Sequence, residues 1–119
     1  MIKTKRIYDP PHVTDGTRVL IDRLWPRGLS KERAAVHIWA RELAPSTELR
    51  RWYAHEPSRW NGFKDRYFAE LDANAPALDA LRARLTAATV TLLFGSKELQ
   101  LNNAAAFKIY LESHRQSGP

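Results

Sequence analysis

Two nearly continuous apolar runs mark the strands around which the rest of the chain is expected to fold. Val19-Leu20-Ile21 lies within a predicted strand over 17–24, and a second run covers Val90–Phe94. Such runs are typical of strands that are buried on both faces of a parallel sheet. Residues 2–8 mix three basic side chains with apolar ones. They predict a first strand that is either an edge strand or half-exposed, and its direction relative to the second strand stays open.

Apolar positions spaced by three and four residues predict five or so helices. The first is predicted to run from the N-cap Ser30 to a stop at Pro45, with Trp39 and Leu43 on its apolar face. We expect both of these side chains, and Trp60 on a later helix, to pack in the core. The other predicted helices are 47–54, a longer one that opens at 57–58, one that starts near 75–76 and a final one after 102–103.

The order of these elements predicts an α/β fold in a single domain over residues 1–119. It has a small central, mainly parallel sheet of about three strands, flanked by five or so helices. Several helices separate the strand over 17–24 from the strand over 90–94, so we expect these two strands to be adjacent, parallel and almost fully buried.

Composition narrows the class of protein. The chain of 119 residues is 44% hydrophobic and carries a net charge of +6, which is globular and basic. The absence of cysteine excludes disulfides, thiolate catalysis and cysteine-based zinc sites. No run approaches the length of a membrane span and the first residues lack a signal-peptide core, so we expect a soluble, cytoplasmic protein.

Charged and polar side chains directly follow both apolar strands. Because the carboxyl ends of parallel strands lie side by side, we expect these side chains to meet in one anion-binding crevice beside the positive amino end of the final helix. Asp22 is the candidate catalytic acid or base. The candidate ligand-binding residues are Arg23, Arg27, Ser96, Lys97, Asn102 and Asn103.

Three functional hypotheses follow from these residues. The first is a small enzyme or binding domain for a phosphorylated, carboxylated or nucleotide ligand, held as a small anion in the crevice. The second is a nucleic-acid-associated module that uses the cluster at 50–53, Arg-Arg-Trp-Tyr. We favour the simpler interpretation of that cluster, in which its aromatic side chains pack inward and its arginines face solvent. The third is a partner-binding module without catalysis, in which Asp22 and Arg23 form a structural ion pair.

The histidines do not suggest a metal site. They are scattered, and none stands at metal-ligand spacing from another histidine or a carboxylate along a helix. We expect surface positions for all four, and we expect no cofactor. The histidines are His12, His37, His55 and His114.

Several long motifs resemble the YeaO-like family of small bacterial domains of unknown function. The most specific is Asp-Arg-Leu-Trp-Pro-Arg-Gly at 22–28, and the segments at 5–10, 15–21 and 44–50 also fit. The resemblance spans nearly the whole chain and implies an α/β fold, but it supplies no reaction. Family members often have Asn-His-Ala where this chain has Asn-Asn-Ala at 102–104. An asparagine at 103 cannot transfer protons as an imidazole can, whereas it can still hydrogen-bond to a ligand.

Overall fold

The computed structural model describes residues 1–113 and contains a parallel sheet with helices on its faces. The four strands are β1 (Ile2–Arg6), β2 (Thr17–Leu20), β3 (Ile38–Trp39) and β4 (Val90–Phe94). Their order across the sheet of the described residues is β1-β4-β2-β3, and every neighbouring pair is parallel. The predicted adjacency of β2 and β4 is therefore confirmed, and β1 runs in the same direction as both. The α/β class is also confirmed, with one strand more than predicted.

The helices of the described residues match the predicted number. They are α1 (Lys31–Ala34), α2 (Thr47–Tyr53), α3 (Trp60–Asp72), α4 (Ala75–Arg84) and α5 (Asn103–Ser113). Short 3-10 turns lie at Val13–Asp15, Arg41–Leu43 and Pro57–Arg59. None of these helices combines the length and the apolarity that a membrane span requires.

The predicted long helix from Ser30 to Pro45 is wrong. α1 has only four residues, and Ala35 after it takes a left-handed conformation with φ of 49°. The chain then forms the additional strand, β3, at the edge of the sheet beside β2. The apolar side chains that suggested a helix here lie partly in this edge strand. Pairing with β2 supplies hydrogen bonds to the main-chain groups of the strand. As a result Trp39 is only half-buried.

The apolar core has two parts, one on each face of the sheet. Val19, Leu92 and Phe94 face the larger part, which α2, α3, α4 and α5 cover. Leu20 and Leu93 face the smaller part on the opposite side. Both central strands are thus buried on both faces, as their continuous apolar pattern predicted. Leu43 is buried as expected, whereas Trp60, like Trp39, is only half-buried.

A buried charge network closes the amino end of β2. The Arg18 guanidinium donates to a carboxylate oxygen of Asp15 at 2.6 Å and to the main-chain carbonyls of Ala34 and Ala35 at 2.7 and 3.0 Å. Lys5 adds a second ion pair to Asp15 at 3.1 Å. Arg18 therefore holds the end of α1 against the sheet, which helps to explain why that helix stops where it does.

Candidate functional site

A cavity of about 560 Å³ opens where β2 and β4 end. Its remaining walls come from the loop after β2, from α2 and from the start of α5. Its polar lining comprises Asp22, Thr47, Arg50, Arg51, His55, Ser96, Asn102 and Asn103. Its apolar lining comprises Leu24, Trp25, Pro26, Pro45 and Phe63, with Tyr53 and Gly95 completing the wall. The cavity lies at the carboxyl edge of a parallel sheet, where ligands commonly bind in open α/β folds.

Asp22 is fixed at the back of this cavity by two hydrogen bonds to its carboxylate. One oxygen accepts from the main-chain N–H of Gly95 at 2.7 Å, and the other accepts from Asn103 Nδ2 at 2.9 Å. Burial raises the pKa of Asp22 above its usual range, and these hydrogen bonds and the charge of Arg50 offset that rise only in part. The close approach depends on Gly95, since a Cβ there would lie 3.0 Å from the carboxylate.

Both asparagines at the start of α5 have structural partners. Asn102 is buried, its Oδ1 accepts from the N–H of Ala105 at 2.8 Å, and its Nδ2 donates to the carbonyl of Glu98 at the same distance. It therefore caps α5 through its side chain. Asn103 donates both amide hydrogens to the segment that follows β2. Besides its bond to Asp22, its Nδ2 donates to the carbonyl of Ile21 at 2.7 Å.

Ser96 lies in the cavity wall beside the turn that follows β4. Its hydroxyl oxygen accepts from the N–H of Glu98 at 2.9 Å. Its hydroxyl hydrogen remains available as a donor.

The three cations that were predicted to hold the anion are not among the residues that line the cavity. Arg23 donates to the carbonyl of Ala44 at 3.1 Å, and its Nε is buried without a hydrogen-bond partner. Arg27 and Lys97 are exposed. Within the described residues, no ion pair joins Asp22 to Arg23, so the structural pair considered for them is not formed.

The positive charge of the cavity comes instead from Arg50 and Arg51 on α2. In the part of the chain that the structure describes, neither side chain has an ion pair or a hydrogen bond. Both arginines are exposed, as the simpler interpretation of the cluster at 50–53 predicts. The missed signal is their spacing from Thr47, because positions i, i+3 and i+4 share one face of a helix.

The aromatic members of the cluster at 50–53 are engaged within the fold. Tyr53 donates its hydroxyl to the carbonyl of Leu101 at 2.8 Å and stacks on Phe63 with ring centroids 4.4 Å apart. The guanidinium of Arg66 lies 3.8 Å from the ring centroid of Trp52, and that of Arg59 lies 5.4 Å from it. Tyr53 is buried and Trp52 is half-buried against the core, which agrees with inward packing of these two aromatic side chains.

The described histidines lie in different parts of the fold and have different contacts. His55 is exposed, as expected, and it also lines the cavity. His12 caps the 3-10 turn at Val13–Asp15, and His37 accepts from the N–H of Arg18 at 2.9 Å. His114 lies outside the described residues. Among the residues that the structure describes, no group of three or more His, Asp or Glu side chains is arranged to hold a metal ion.

Comparison with known proteins identifies the family. Residues 1–117 match the family described as "Inactive DUF488-N3 subclade". The chain is 38% identical to uncharacterised protein YeaO of Escherichia coli over 112 residues, which cover 94% of this chain and 97% of that protein. It is 39% identical over 104 residues to uncharacterised proteins of Mycobacterium tuberculosis and Mycobacterium bovis, with 87% of each chain covered. No solved structure gives a significant match. The chain therefore belongs to the inactive DUF488-N3 subclade, a family of small YeaO-like domains, as its motifs predicted.

Proposed function

We propose that this protein binds a small anion in the cavity at the carboxyl ends of β2 and β4, without catalysing its conversion. The observation that carries the proposal is the pair Arg50 and Arg51. Both line the cavity, and neither forms an ion pair with an acid of the described residues. Unpaired guanidinium groups in a concave site bind phosphate and carboxylate groups well, because their planar N–H donors match two oxygens at once.

The environment of Asp22 favours binding over catalysis. The neighbours of Asp22 supply no proton relay, because its side-chain partner is an amide that does not titrate. Both carboxylate oxygens already accept hydrogen bonds from the protein, which fixes them as acceptors. The word "Inactive" in the description of the family agrees with this interpretation.

Calorimetry with inorganic phosphate tests the proposal. We expect the wild type to bind phosphate and the double variant Arg50→Ala, Arg51→Ala to lose at least tenfold in affinity, because both charge-assisted donors are gone. The matched control is Lys31→Ala, Arg33→Ala, which removes the same two charges from the exposed surface of α1. It should bind phosphate as the wild type does. Equal losses in both double variants would mean that only net charge matters and would overturn the proposal.

A salt titration separates this proposal from the nucleic-acid hypothesis. Contacts with the phosphates of a nucleic acid make affinity fall steeply with salt concentration. We expect the protein to show no tight binding to DNA or RNA at physiological salt. Tight binding there that collapses in Arg50→Ala, Arg51→Ala would replace small-anion binding with nucleic-acid association.

A further inference from the structure

The cavity is larger than a simple anion requires, and its walls differ in chemistry. A volume of about 560 Å³ falls within the range of pockets that enclose an organic ligand of ordinary size, about 300–1,000 Å³. Phosphate against Arg50 and Arg51 would leave most of that volume unfilled. The chemistry of the remaining walls therefore indicates which groups the rest of the ligand contains.

The aromatic wall that a ligand can reach is Trp25, which is half-buried and lines the cavity. Its indole N–H donates to the carbonyl of Leu29 at 2.8 Å, and its ring meets Trp39 edge to face at a centroid distance of 5.4 Å. Phe63 and Tyr53 stack on each other at 4.4 Å and are almost fully buried, so they support this wall from behind. A fixed aromatic surface binds a planar ring with little loss of side-chain freedom.

Leu24 adds an observation that the fold alone does not explain. It lines the same cavity, yet 70% of its surface is exposed to solvent. An apolar ligand group that covered this leucine would remove that surface from water.

The back of the cavity presents acceptors. Each oxygen of Asp22 receives one hydrogen bond from the protein, and a carboxylate has about four lone-pair sites in all. Asn103 spends both amide hydrogens on Ile21 and Asp22, so only its carbonyl oxygen is left for a ligand. A ligand that reaches this wall must therefore bring hydrogen-bond donors, because its own acceptors would face acceptors.

We propose, as an extension of the proposed function, that the ligand is a nucleoside monophosphate with a guanine-type edge. Its phosphate contacts Arg50 and Arg51, its ring lies against the aromatic wall, and its adjacent N–H donors bond to Asp22. Guanine offers a ring N–H and an amino group side by side, which a carboxylate accepts together. Adenine places a ring acceptor beside its amino group, so the same contact would set acceptor against acceptor.

The test compares four probes on the wild-type protein by calorimetry: GMP, AMP, guanosine and inorganic phosphate. We expect GMP to bind roughly 5- to 150-fold more tightly than AMP, the discrimination that one good bidentate contact to a base supplies. Equal affinities for GMP and AMP would overturn the inference. Phosphate binding that needs Arg50 and Arg51 would still support the proposed function in that case.

Two further outcomes separate the failures. If neither inorganic phosphate nor either nucleotide binds, the proposed function and the inference both fail. If guanosine binds as tightly as GMP, the anion site fails while the recognition of the base is supported.

The variant Asp22→Asn tests whether Asp22 is the residue that contacts the base of the ligand. An amide replaces one acceptor by a donor, so the ratio of the GMP and AMP affinities should fall toward one. An unchanged ratio in the folded variant would show that Asp22 does not contact the base. The ratio in the wild type decides the inference even if this variant does not fold.

Discussion

The two ends of β2 place an aspartate beside basic side chains in two different ways. At the amino end, Asp15 is 3% exposed and forms ion pairs with Arg18 and Lys5. At the carboxyl end, Asp22 borders a cavity whose two arginines have no acidic partner in the described part of the chain. The first group is closed by the protein itself, whereas the second is left open to solvent.

The pKa values of the two carboxyl groups reflect this difference. Burial alone would raise the pKa of Asp15, but hydrogen bonds from the His12 N–H, Lys5 and Arg18 outweigh it and hold the pKa below its usual range. Burial raises the pKa of Asp22, because its neutral partners and the more distant Arg50 compensate less. The comparison teaches that charges of opposite sign pair completely at one end of β2, while two guanidinium groups at the other end stay without an ion pair.

The largest loss of stability is expected when the ion pair of Arg18 with Asp15, before β2, is removed. Arg18→Met removes the shorter of the two ion pairs of the buried Asp15 and leaves the carbonyls of Ala34 and Ala35 without their donor. We expect the free energy of unfolding to fall by about 3–5 kcal/mol, because a buried ion pair is broken and two main-chain acceptors lose their hydrogen bonds. Urea denaturation at pH 7 measures the loss.

The matched control for that variant is Arg23→Met at the other end of β2. Arg23 bonds only to the carbonyl of Ala44, and its Nε has no partner. We expect a loss of about 1 kcal/mol or less, the value of one ordinary hydrogen bond. A similar loss in both variants would contradict the distinction between the closed and the open end.

The pH dependence of stability tests the comparison, because folding shifts the pKa values of the two aspartates in opposite directions. Folding lowers the pKa of Asp15, so its contribution to stability is present above its ordinary pKa of 3.8 and is lost as the pH falls through the lower folded value. Folding raises the pKa of Asp22, so its contribution is fully present below 3.8 and is lost as the pH rises through the higher folded value.

Urea denaturation of Asp15→Asn and Asp22→Asn between pH 3 and pH 7 measures these signs. Relative to the wild type, Asp22→Asn should gain stability as the pH rises above 3.8. The deficit of Asp15→Asn should shrink as the pH falls below 3.8. Parallel curves for the two variants and the wild type would contradict both assignments.

The smallest change in stability is expected when the two arginines of the cavity are replaced. Arg50→Ala, Arg51→Ala removes two exposed side chains without a partner in the described residues, so the free energy of unfolding should change by only about 0.5 kcal/mol per site. Thermal and urea unfolding measure this directly. A loss of several kcal/mol would show that the two arginines are structural and would remove the contrast with Arg18.

The sequence predicted the centre of the fold better than its edge. The runs at 19–21 and 90–94 are apolar on both faces, and burial between two helical layers is the arrangement that satisfies such strands. The segment around Trp39 fits both a helix face and a short edge strand. The choice depends on contacts from Arg18 to the end of α1, which residue spacing within that segment does not reveal.

The candidate site was predicted in its position and only partly in its members. Asp22, Ser96, Asn102 and Asn103 line the cavity because the strands and α5 fix where those residues begin and end. The side chains of Arg27 and Lys97 belong to loops, whose path is not set by strand geometry. Arg50 and Arg51 come from a helix distant in sequence, and only the packing of α2 beside the sheet brings them to the cavity.

The position of β4 between β1 and β2 has a consequence for how the chain folds. β1 and β2 are both complete by Leu20, but they do not pair with each other, and the strand that joins them starts at Val90. Even the amino group of Met1 donates to the carbonyl of Ala88, at 2.6 Å. β2 can pair with β3 early, but loop closure over most of the chain must precede completion of the sheet, which slows folding. During synthesis on the ribosome, β1 and the β4-facing edge of β2 therefore stay unpaired until β4 emerges, and in that interval they are exposed to pairing with other chains.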